Sequence, residues 1–170
     1  MQTTVYGLFL RKGDILMNRP NVIVMSAREA LTYVMSHFCE PGVTKYPENT
    51  NTYAAISIQD TASGGFGFEL KENEYCKAAL TLYFDDIERP ERGLKRMAPG
   101  QAKQIVDFIE ANKNVDTLLI HCFAGFSRSR AIGVFAREYL GIPPTDDKYF
   151  NNYVYKLLKK AAERGGENEL

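Results

Sequence analysis

Four short β-rich runs punctuate this chain: VIVM (22–25), YAAISI (53–58), ALTLYF (79–84) and TLLI (117–120). Stretches of helical period follow three of them. No other feature constrains the fold as strongly. Buried strands alternating with helices require an α/β domain with a central, mostly parallel sheet flanked by helices. A length of 170 residues suits one domain, residues 1–170, with a substantial core.

The helices announce themselves by their ends. Ser26 with Glu29 three residues later makes a capping box, and Ala27, Leu31, Val34, Met35 and Phe38 form the apolar stripe expected behind it. Pro99 opens a second helix carrying Ile105, Val106 and Ile109. A third runs through AIGVFAREYL until Gly141 and Pro143 stop it. The last carries Phe150, Val154, Leu157, Leu158 and Ala161 on one face, with Tyr149, Tyr153 and Tyr155 read as packing residues. The tail GGENEL (165–170) is expected to fray. Upstream, VYGLFL and ILMN flank RKGD as a hairpin, so residues 1–50 are expected to hold N-terminal strands and the first helix. Residues 41–52 read as a polar linker. TASGGFGFELKENE reads as a loop whose glycines make no phosphate fingerprint, and Asp60 before it as a turn former, with a place at the pocket rim as the alternative.

Composition excludes some classes. A formal net charge of zero gives no global field toward nucleic acid or an anionic membrane, leaving only a local basic patch to consider. The N-terminus reads as neither signal peptide nor membrane span. Three cysteines suggest no disulfide framework, and reduced thiols in a cytoplasm follow. His37 and Cys39 in SHFCE have only Cys76 to join them, too few ligands for a zinc site, so no metal is expected. No sequence feature bears on oligomeric state.

The chemistry concentrates in HCFAGFSRSR (121–130), between the TLLI strand and the third helix. A strand, a tight loop and a helix start bring backbone N–H groups together, and the helix dipole favours an anion there. Cys122 ends the strand and Arg128 follows six residues later. Residues Phe123, Ala124, Gly125, Phe126 and Ser127 can wrap a tetrahedral oxyanion, with Gly125 permitting the bend. Arg128 adds a planar fork for two phosphate oxygens. The same surroundings favour a thiolate nucleophile.

At His121, Cys122, Gly125, Ser127, Arg128 and Ser129 the sequence resembles the cysteine-dependent protein tyrosine phosphatases, in particular their small dual-specificity-like branch. A looser similarity extends from about residue 53 to about residue 158, including the Asn-rich FNNYV before the last helix, while the first 50 residues match no known pattern. The resemblance implies attack by Cys122 on phosphorus to give a phosphocysteine, with Arg128 and the loop amides holding the equatorial oxygens. Ser129 would hydrogen-bond the sulfur, His121 would orient the loop and tune the thiolate, and an aspartic acid would protonate the leaving oxygen. It implies no metal or organic cofactor and a phosphorylated protein or peptide as partner. Cys39 or Cys76 could form a reversible disulfide with oxidised Cys122, as in some relatives.

Two aspartates compete for the acid. Leu80, Leu82 and Phe84 alternate toward one face, and continuing that period puts Asp86 with them and Asp85 opposite. The family's pattern also favours Asp86, although ERPERGLKRM makes the stretch from Asp86 to Cys122 longer than usual. Arg89, Arg92, Lys95 and Arg96 in that loop read as a solvated surface or as a basic lip for further phosphates. The lip keeps open a phosphatase for RNA 5′ ends or inositol phosphates. The apolar Phe123, Ala124 and Phe126 instead suit an aromatic phosphoester. Arg130 replaces the small residue or proline common in the family, and a non-catalytic phosphoprotein-binding module is the rival from outside enzymes.

Overall fold

The computed structural model describes residues 19–38 and 46–166. The expected N-terminal hairpin, Cys39, the first part of the 41–52 linker and the last four residues of the tail lie outside them. Eight elements follow in chain order: β1 (Asn21–Ser26), α1 (Ala27–Met35), β2 (Tyr53–Gln59), β3 (Cys76–Tyr83), α2 (Pro99–Ala111), β4 (Thr117–Cys122), α3 (Arg128–Tyr139) and α4 (Asn152–Gly166).

The strands pair in the order β1-β4-β2-β3, and every pairing is parallel. The α/β architecture with a parallel sheet is therefore present. The two inner strands, β2 and β4, are buried at every residue, which is why their sequences read as continuous apolar runs rather than alternations. Alternate side chains serve two cores. Ala54, Ile56, Ile58, Leu118 and Ile120 pack with Ile105, Ile109, Ile132, Phe135, Val154 and Leu158 of α2, α3 and α4. Tyr53, Ala55, Cys76 and Leu119 pack on the opposite face with Ala30 of α1 and Leu70 of the long loop. Helix α3 lies so close to β1 that a Cβ on Gly133 would sit 2.4 Å from Val24 Cγ2.

Ser26 caps α1 as expected: its Oγ accepts from Glu29 N–H at 3.3 Å, and Glu29 Oε2 accepts from Ser26 N–H at 2.8 Å. Of the expected apolar stripe of α1, Ala27 is buried and Val34 packs against the smaller core, but the other three face outward. Leu31, Met35 and Phe38 are exposed, at 42%, 60% and 45%, while Ala27 and Ala30 are buried. His37 takes the core position beside those alanines, with both ring nitrogens facing oxygens. Its Nδ1 lies 3.0 Å from the Tyr33 carbonyl and its Nε2 3.1 Å from both Asn51 oxygens, amid the rings of Tyr33, Tyr53 and Tyr75. Tyr149, read as a packing residue, is exposed, whereas Tyr153 and Tyr155 pack against the larger core.

Candidate active site

All four strands point their C-terminal ends to one edge, the edge at which open α/β sheets hold ligands. The loop 123–127 leaves the central strand β4 there and turns into α3 at Arg128. Gly125 makes the turn with φ +77, and a Cβ on it would fall 2.6 Å from Ser26 N and 2.7 Å from Met25 C. Glycine is required on both counts. Ala27 N–H donates to the Phe123 carbonyl at 3.0 Å, so the β1–α1 junction braces the loop from behind.

Cys122 is buried at the base of this turn. Its Sγ lies 3.1 Å from Ser129 Oγ and accepts from Gly125 N–H at 3.3 Å. A hydroxyl, a backbone N–H and the start of α3 thus converge on the sulfur. Arg128 is buried beside it. Its Nη1 donates to the Phe84 carbonyl at 2.7 Å and pairs with Asp60 Oδ1 at 2.6 Å. Its Nε is buried without a hydrogen-bond partner among the described residues, a donor available to an anion. Asp60, read from the sequence first as a turn former, therefore sits on Arg128 from the end of β2.

The two candidate acids have separate surroundings. Asp86 Oδ1 accepts from Ser127 Oγ and from Asn151 Nδ2, each at 2.8 Å, which places this carboxylate on the rim of the loop. Asp85 is buried. Its carboxylate accepts from Thr61 N–H at 2.9 Å, from Lys95 N–H at 2.7 Å and from the Thr61 hydroxyl. Burial alone would raise its pKa, but these bonds and the nearby Arg128 charge outweigh that and hold it below the usual carboxylate value. Asp85 thus fastens the loop base. Strand parity does not produce this division: β3 ends at Tyr83, and Phe84 and Asp85 are buried in succession before Asp86 emerges.

His121 is fully buried, and burial holds its pKa down to about 4. Its Nδ1 lies 3.4 Å from the Cys122 carbonyl, its Nε2 has no partner among the described residues, and Phe66 and Phe68 pack on the ring. It touches Cys122 only through the backbone. The long loop that delivers those phenylalanines is pinned by buried Gln59, which accepts from Phe66 N–H at 2.9 Å and donates to the Phe68 carbonyl at 3.1 Å. Phe123, Ala124 and Phe126 are exposed around the opening, with Phe123 beside Phe66 and the Arg130 guanidinium over Phe126. Arg130 also pairs with Asp147 at 3.2 Å. Arg89, Arg92 and Lys95 are exposed, whereas Arg96 lies over the Tyr153 ring.

Cys76 cannot bridge to Cys122. The register aligns Cys76 with Tyr53 and Tyr53 with Thr117, five residues before Cys122 and two strands away. At ~3.3 Å per residue and ~4.8 Å per strand, the pair lies far beyond the ~7 Å limit for a disulfide. Among the described residues no group of three or more His, Cys, Asp or Glu side chains is placed to hold a metal, and no helix is long and apolar enough to cross a membrane.

No family model matches the chain, and no curated protein does. Among solved structures the chain is similar to Tk-PTP in the active form, with 19% identity, 86% of this chain and 92% of that chain covered, and a TM-score of 0.49. A likeness at that level carries no argument about chemistry, which rests on the side chains themselves.

Proposed function

We propose that the chain is a cysteine-dependent phosphomonoesterase of the protein tyrosine and dual-specificity phosphatase kind, acting on phosphorylated proteins or peptides in the cytoplasm. The observation that carries this reading is the buried Cys122 Sγ held by Ser129 Oγ and Gly125 N–H beside a buried Arg128 whose Nε has no partner among the described residues. The Cys122 thiolate attacks phosphorus while Arg128 and the amides of residues 123–127 hold the non-bridging oxygens. The P–O bond to the leaving group breaks, and that oxygen takes the Asp86 proton. Water then attacks the phosphocysteine and gives its proton to Asp86. The S–P bond breaks as Ser129 stabilises the departing thiolate.

The test is hydrolysis of aryl phosphates across pH with EDTA present, for wild type, Cys122→Ser, Asp85→Asn and Asp86→Asn. Cys122→Ser is expected to show no turnover. Asp86→Asn is expected to lose about a hundredfold or more and the basic limb of the profile. Wild-type rates retained in Cys122→Ser would overturn the reading. Loss of the limb in Asp85→Asn instead would transfer the acid role. Exposed Arg89, Arg92 and Lys95 favour one second reading, a substrate with additional phosphates such as an RNA 5′ end or an inositol phosphate. Comparing rates on phosphotyrosine peptide, triphosphorylated RNA and inositol phosphates separates the two.

A further inference from the structure

The segment 84–98, which carries Asp86, has no helix or strand of its own to hold it over the signature loop. The start of α4 does that work. Asn151 Nδ2 donates to Asp86 Oδ1 at 2.8 Å. Asn152 donates to Glu88 Oε1 through its backbone N–H at 2.7 Å and its side chain at 3.2 Å. Tyr153 Oη donates to the Met97 carbonyl at 3.0 Å, and its ring lies under Arg96. Three consecutive residues thus grip the segment at its beginning and its end.

Asn151 is the centre of this grip. It is buried, and its Oδ1 accepts from Val154 N–H at 3.0 Å, capping α4. That bond fixes which end of the amide faces outward, so Nδ2 must point at Asp86. Its own N–H reaches the Ser127 carbonyl at 3.4 Å, and Ser127 Oγ is the other donor to Asp86 Oδ1. Both donors engage Oδ1, and no described residue hydrogen-bonds Oδ2. Oδ1 therefore serves as the acceptor, and Oδ2 is the oxygen that can carry the transferable proton.

We infer that Asn151 is a positioning residue that sets the proton-bearing oxygen of Asp86 over the leaving group, an inference that rests on the phosphatase reading above. Such a residue matters in proportion to how much the leaving oxygen needs the proton. Dinitrophenolate departs readily without one; phenolate does not.

The test measures kcat/KM with dinitrophenyl, nitrophenyl and phenyl phosphate for wild type, Asp86→Asn, Asn151→Asp and Asn151→Ser, with a thermal melt of each. Aspartate and serine both keep a cap for Val154 N–H. Neither offers an amide donor, and the serine adds no charge. The expected losses are about threefold with the dinitrophenyl ester and about thirtyfold or more with the phenyl ester, in parallel with a steeper trend for Asp86→Asn. A merely structural role would lower all three rates equally. If Asp86→Asn shows the steep trend while both Asn151 variants show an equal loss on every ester, or none, this inference is overturned and the phosphatase reading stands. A flat trend for Asp86→Asn removes the acid assignment and this inference with it. A wild type that hydrolyses no ester overturns the phosphatase reading as well.

Discussion

The Arg128 guanidinium meets Asp60 at 2.6 Å and the Phe84 carbonyl at 2.7 Å. A guanidinium keeps its charge wherever it is buried, so each acceptor offsets part of its desolvation and fixes its orientation. Asp60→Ala removes the charged acceptor. Stability is expected to fall by about 1–3 kcal/mol, and the KM for an aryl phosphate to rise about tenfold as the fork loosens. Asp60→Asn keeps an oxygen and should lose less. Chemical denaturation and steady-state kinetics of the three proteins check this, and equal KM values in all three would sink it. Cys122, Arg128 and Ser129 were legible because one strand-to-helix turn brings them together. Asp60 and Asn151 were not, because their partners lie on other elements. The sequence displays an aspartate after a strand and asparagines before a helix, but no partner for either.

Elements were easier to place than to orient. The four strands, the capping box of α1 and the Pro99 start of α2 all follow from local patterns. The buried face of α1 did not, because the pattern counts His37 as polar while its ring nitrogens find oxygens inside the fold. That difference predicts an inversion of the usual expectation for leucine and alanine. Leu31→Ala, at an exposed position, should change stability by less than about 0.5 kcal/mol. Ala30→Leu, at a fully buried one, should cost about 1–3 kcal/mol through overpacking. Thermal unfolding of both variants measures it, and the opposite order would mean that α1 presents its leucine face to the sheet. The glycine-rich stretch after β2 is a loop, as its composition requires. Its anchor, Gln59, gives no sign of that role in the sequence, because its partners are the backbone groups of Phe66 and Phe68 in the loop.

Acid should weaken the whole molecule in two stages. His121 is neutral and buried, with its pKa down to about 4 from 6.5. The unfolded chain takes up that proton first, so the stability from His121 is full above about pH 6.5 and drains away toward about 4. A shift of that size corresponds to about 3 kcal/mol. Asp85 follows. Its folded pKa lies below 3.8, so its contribution is complete above that value and disappears as pH falls through the folded one. Denaturant midpoints measured from neutral pH downward should fall first across the histidine window and again below the carboxylate one. A flat profile between about pH 4 and 6.5 would show that His121 is not held neutral.

The strand order has a consequence for how the molecule assembles. β4 is the last strand in the chain, yet it fills the place between β1 and β2, and Asn21 and Tyr53 both align with Thr117. A growing or refolding chain therefore holds β1 and β2 with nothing to join them until the strand that ends at Cys122 inserts. Contacts so distant along the chain make that insertion slow. Partly folded forms lacking β4 carry no assembled 122–128 loop, so the loop and the two strands that brace it come together in one step as the sheet closes.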